Sequence, residues 1–142
     1  MAVEGTKIKE MMEGKTLEKD NIKKMYDMVQ NASEPEEKKK VMKHSVFFIG
    51  QLPLKENHIV DLEQTRRIVP FAEVDTYMDY LLKGLSTQKL LLEKEDGSYE
   101  VNTKYEKSVI KVRKIARAFQ LEQEKALEAG IPKAKKMYQM GT

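Results

Sequence analysis

The sequence predicts a mainly α protein carrying a small β-hairpin, with a helical N-terminal extension and a long C-terminal helix. Three observations predict it. Val74, Tyr77, Met78, Leu81, Leu82 and Leu85 recur at i, i+3, i+4, i+7, i+8 and i+11, the spacing of one helical face. A leucine run, Leu90 to Leu92, meets Asp96-Gly97, a favoured hairpin turn, and continues into Tyr99 and Val101. Finally, Tyr105, Val109, Val112, Ile115, Ala116, Phe119, Ala126 and Leu127 keep helical spacing over most of the last third of the chain.

Composition narrows the class. The 142 residues suit one domain, with hydrophobic residues at 40% and charged residues at 35%, a balance that favours helices with a heavily charged surface. There is no cysteine, which excludes disulfides, thiolate metal ligands and a cysteine nucleophile, and fits a cytoplasmic setting. No apolar run approaches the ~18 residues of a membrane helix. The net charge of +3 permits nucleic-acid binding without requiring it.

Residues 1–34 read as the N-terminal extension, in two helical pieces. Ile8, Met11 and Met12 form the first apolar patch, which Gly14 ends. Thr16 can cap the second piece, whose apolar side holds Leu17, Ile22, Met25, Tyr26, Met28 and Val29. Gly14-Lys15-Thr16 resembles the end of a phosphate-binding loop, but that motif needs a glycine where Lys9 stands and a preceding strand, so it is discarded.

Residues 35–102 read as the core. Ser33 is positioned as a cap, Pro35 falls in the first turn, and Glu34, Glu36 and Glu37 suit the positive end of a helix running to about residue 50. Val41, Met42, Ser45, Val46, Phe48 and Ile49 are its inward residues; Lys38, Lys39, Lys40 and Lys43 are its wet side. His58-Ile59-Val60 reads as a short strand. Asp61 can cap a helix over 61–69, with Gln64 three positions on. Pro70 sets a boundary before the next helix, 71–88. Residues 103–142 read as a C-terminal helix capped by Thr103 and stopped by Gly130 and Pro132, then a basic tail.

The order helix, short strand, helix, helix, strand, turn, strand over residues 35–102 resembles the winged helix-turn-helix superfamily. The resemblance rests on the phased helix, Leu81-Leu82-Lys83-Gly84-Leu85 and the Asp-Gly hairpin, and implies double-stranded DNA as partner and a role in transcription regulation. It places the second helix of the pair in the major groove and the hairpin against the backbone. Carried onto this chain, the outward reading residues are Thr76, Tyr80 and Lys83, among the acids Glu73, Asp75 and Asp79. Arg66 and Arg67 on the preceding helix, Lys89 and Lys94 on the wing, and Lys107, Lys111 and Lys114 on the last helix are the expected phosphate contacts.

The alternative is a protein-interaction winged helix that has lost its basic reading helix, with Glu73, Asp75, Asp79 and Tyr80 on the partner surface. The long terminal helix is expected either to pair with its twin in a homodimer or to pack on the N-terminal helices. No catalytic grouping, cofactor motif or metal-ligand set rises above the background of a charged helical chain, so the sequence predicts no enzyme.

Overall fold

A computed structural model describes residues 2–69 and 72–141, and the side chains of residues 7–69 and 72–128. The protein is mainly helical, with a two-stranded antiparallel sheet and a long C-terminal helix. Helices α1 (Ala2–Met12) and α2 (Lys19–Asn31) come first, and α2 buries Ile22, Met25 and Val29 in the core. They are followed by α3 (Pro35–Ile49), α4 (Leu62–Ile68), α5 (Val74–Thr87), β1 (Leu91–Glu93), β2 (Tyr99–Val101) and α6 (Glu106–Gly141).

Local chemistry accounts for most borders. Gly14 takes the left-handed conformation, φ +73°, just after α1. Pro35 opens α3, but its cap residue is Glu34 rather than Ser33, with no side-chain cap bond. The expected Thr16 cap is also displaced: Thr16 bonds Glu18 and Asn21, and α2 starts at Lys19. Asp61 caps α4 by accepting the Gln64 N–H at 3.1 Å. The boundary expected at Pro70 and the helix start at Phe71 lie outside the described residues. Past α5, Lys89 N–H reaches the Ser86 carbonyl and Leu90 N–H the Leu85 carbonyl. With Lys89 at φ +60° this is a Schellman end in which lysine stands where glycine is usual. The strand therefore begins at Leu91, whereas the sequence predicts a strand over residues 89–94.

The hairpin pairs Leu91 with Val101, Leu92 with Glu100 and Glu93 with Tyr99. Its turn is longer than a two-residue Asp-Gly loop. Lys94 N–H bonds the Ser98 carbonyl and Gly97 N–H the Lys94 carbonyl, leaving three loop residues, the last being Gly97 at φ +84°. This is the type I turn plus left-handed glycine of three-residue hairpins. Asp96 accepts the Ser98 N–H and Oγ–H, and these bonds hold its carboxyl below the usual pKa. The expected strand at 58–60 is reduced to single bridges: Ile59 pairs with Glu100 on β2, and Val60 with Leu54.

The core lies between α2, α3, α5, the hairpin and the first half of α6. Ile22, Met25, Phe48, Ile49, Leu52, Leu81, Leu85, Leu90 and Leu91 are buried there. Gly84 lets α2 approach α5: a Cβ there would meet the Met25 Sδ at 2.7 Å. On α4 Thr65 is buried, as is Val69 just after it, while Ile68 is exposed. Thr65 satisfies its hydroxyl on the Asp61 carbonyl at 2.7 Å. Helix α6 buries Val109, Val112 and Ala116 and packs against α3 and α1. Residues 121–128 are exposed throughout. The stop expected at Gly130 and Pro132 does not end α6, which continues to Gly141. A proline inside a helix removes one hydrogen bond, at a cost of about 3 kcal/mol or more. Strong helix formers, Ala126 to Ala129 and Lys133 to Met137, flank it on both sides.

Candidate nucleic-acid interface

Helix α5 buries Tyr77, Met78, Leu81, Leu82 and Leu85, so Glu73, Asp75, Thr76, Asp79 and Lys83 are left outside. Helix α2 lies along this helix and claims part of its outer face. Tyr80 was expected outside; it is half-buried, its ring 4.8 Å from the Tyr26 ring and 5.6 Å from the Tyr77 ring. Lys23 sits above both Tyr26 and Tyr80. The acids are matched one by one. Glu73 pairs with Lys19 of α2 at 3.3 Å, Asp75 with Arg66 of α4 at 2.5 Å, and Asp79 with Lys83 at 3.1 Å. Hydrogen bonding to Glu73 raises the Lys19 pKa, and bonding to Asp79 does the same for Lys83. Each pair is exposed and contributes little to stability. Their effect is on charge: this surface is close to neutral, and Thr76 is the one expected reading residue that is both exposed and uncharged.

The expected phosphate contacts divide by element. Arg66 is held by Asp75, and Arg67 by Glu63 at 3.4 Å on its own helix. Lys94, at the hairpin turn, stands 3.9 Å from Glu100. Lys89 and the start of α6 are drawn together by Asn102, whose Nδ2 donates to the Lys89 carbonyl at 2.8 Å and whose Oδ1 accepts the Lys104 N–H at 3.0 Å. From there Lys107, Lys111 and Lys114 follow at i, i+4 and i+7, so they share one side of α6, opposite the buried Val109, Val112 and Ala116. They span ~10 Å of helix at 1.5 Å per residue. Lys104 and Arg117 extend the stripe at either end. None of these five cations has a carboxylate within 4.0 Å among the described residues. A row of exposed, unpaired cations is what a phosphate backbone recognises.

The roles of Asn102 and Lys19 were not read from the sequence. Asn102 has a local signal, since asparagine before Thr-Lys can form an Asx turn. Lys19 has none, because its partner Glu73 lies far along the chain. The side chains of the basic tail from Lys133 onward lie outside the described residues. No helix among the described residues is long and apolar enough to cross a membrane. No family model matches the chain, and neither does any curated protein or solved structure.

Proposed function

We propose that this chain is a winged-helix protein that binds double-stranded DNA as a transcription regulator, and that it does so by backbone attraction from α6 and the hairpin foot. The observation that carries this reading is the stripe Lys104, Lys107, Lys111, Lys114 and Arg117, exposed and without a carboxylate partner among the described residues. The order of elements over residues 35–102 supports the winged-helix reading, as does the Ile59–Glu100 bridge that lays a third segment beside the hairpin. Because the acids on α5 are balanced and Tyr80 is packed under α2, base reading by α5 is confined to Thr76 and Lys83. Sequence preference is accordingly weak and salt dependence strong.

The test is duplex affinity measured against salt. Each neutralised phosphate contributes about 0.9 to the slope of log affinity against log salt. Removing three lysines with Lys107→Glu, Lys111→Glu and Lys114→Glu should flatten that slope by roughly 2.7. Undetectable binding of the unaltered chain at low salt, or an unchanged slope in the variant, would falsify the reading.

The balanced surface of α5 favours a second reading, a protein-interaction module. Tyrosines ringed by matched charges suit a protein partner better than a phosphate backbone. That reading predicts that charge reversal at Asp75 and Asp79 abolishes the biological activity while the α6 variant retains it. Assembly as a homodimer through α6 fits the exposure of Leu121 and Leu127 on the helix beyond the core. Light scattering that shows a monomer at every concentration would remove it.

A further inference from the structure

The connector between α3 and α4 folds back on itself. Leu54 bridges Val60, Lys55 N–H bonds the Ile59 carbonyl, and Ile59 N–H reaches the Glu56 carbonyl. At its tip Asn57 and His58 both stand at φ +61°. Positive φ at both central residues is the mark of a type I′ turn, whose second seat usually holds glycine. Here His58 takes that seat. Left-handed residues other than glycine persist only where the surrounding structure holds them, and they gather at ligand clamps. The His58 ring faces Glu106 of α6 at 3.9 Å, both side chains half-exposed. This pair stands at the rim of a cavity of about 240 Å³, set between the connector, the foot of the hairpin and the first turns of α6. Leu54, Val101, Val109 and Ile110 are its walls, and the surface open to its interior is almost wholly apolar. Arg113 borders it, but the Nη1 of the guanidinium is shut off from anything that enters.

We propose that this cavity binds a small uncharged apolar molecule, the size of one ring or a short branched chain. The volume falls below the ~300 Å³ at which pockets for drug-sized ligands begin. Three separate elements wall it, so a helix or strand of a partner does not fit inside. Water there finds almost no hydrogen-bond partners, and apolar cavities of this kind stay dry and take up hydrocarbons. Entry removes the apolar surface of both ligand and wall from water. A charged ligand would leave its charge uncompensated, because the Arg113 Nη1 is closed off and Glu106 lies out at the mouth. The His58–Glu106 pair links the connector to α6 across the opening, a task that glycine in the same seat could not perform. The site stands apart from the lysine stripe, and this inference does not depend on DNA binding.

Methyl-resolved NMR on the full chain tests it, with toluene as the probe and benzoate as a charged molecule of the same ring. Toluene should shift the Leu54, Val101, Val109 and Ile110 methyl signals saturably and leave those of Ile22 and Val29 on α2 in place. Benzoate should bind at least about tenfold more weakly, since its carboxylate finds no partner inside. Ile110 is half-exposed, so its truncation spares the core. Ile110→Ala removes three wall carbons and should weaken toluene by about tenfold. Shifts that do not saturate, or that spread equally to the α2 methyls, overturn the proposal. So does benzoate binding as well as toluene, or unchanged toluene affinity in a folded Ile110→Ala. The comparison of probes on the unaltered chain decides the matter even where the variant fails to fold.

Discussion

Gly50 ends α3 in ordinary right-handed geometry, φ −59° and ψ −19°, so its backbone does not require glycine. Its surroundings do. A Cβ built there would lie 2.9 Å from the Val112 Cγ2, 3.0 Å from the Val112 carbonyl carbon and 3.1 Å from the Arg113 amide nitrogen. Two of these are main-chain atoms of α6, which cannot turn aside as a side chain can. Gly50→Ala therefore has to push α6 away from α3 by a few tenths of an ångström. Overpacking of this kind costs about 1–3 kcal/mol, against a helix-propensity gain of roughly 0.5–1 kcal/mol. The expected net loss is ~1–2 kcal/mol, or about 3–6 °C in Tm for a chain near this size. Urea unfolding followed by circular dichroism reads it directly. Gly84→Ala is the internal control: its closest neighbours are the Sδ and Cε ends of Met25, at 2.7 and 3.0 Å, and a flexible thioether can give way. The control should lose less than Gly50→Ala. A Gly50→Ala protein as stable as the parent, or a larger loss at Gly84, would refute the claim that main-chain proximity sets the cost.

Lys89→Gly removes a left-handed conformation that costs a non-glycine residue about 1–2 kcal/mol. Part of that gain is lost to the freer unfolded chain, so thermal unfolding should show the variant more stable by ~0.5–1 kcal/mol; a destabilised variant would argue against the Schellman end. His44 stacks 5.7 Å from Phe48, and burial, with Lys15 and Lys24 nearby, lowers its pKa. Its folded pKa then lies below the unfolded one, so its contribution is complete above about pH 6.5 and is lost as pH falls through the folded value. Unfolding midpoints measured from about pH 8 down to pH 5 should decline less steeply in His44→Gln than in the parent. Parallel profiles would show that His44 titrates freely.

The elements themselves were legible because their signals are local. The phase of Val74 through Leu85 sets which side of α5 turns inward, and Tyr77, Met78, Leu81, Leu82 and Leu85 are all buried. Asp61 caps as its spacing to Gln64 predicts. The hairpin folds at Asp96-Gly97, although Glu95 joins them in a three-residue loop that ends in the left-handed Gly97. The errors fall at ends. Lys89 read as strand because a non-glycine Schellman cap leaves no mark in the sequence. Pro132 read as a stop, yet α6 passes through it. On α6 the apolar spacing continues through Ala126 and Leu127, while burial ends near Ala116 and Phe119. Periodicity records which residues share a face and says nothing of how much neighbouring structure there is to cover it.

The candidate site shows the same division. The amino-acid order alone determined the lysine stripe of α6, since i, i+4 and i+7 lie on one side of any α-helix. It also determined that α5 has an acidic outer side. Only the tertiary structure decided what becomes of those charges. Lys19 reaches Glu73, Arg66 reaches Asp75, and Tyr26 covers Tyr80, because α2 and α4 are laid against α5 by chain returns that no short-range pattern encodes. Helical spacing is a property of the backbone and travels with the sequence. Pairing across helices depends on packing angles and close approaches such as those at Gly84 and Gly50, and these exist only once the core has closed.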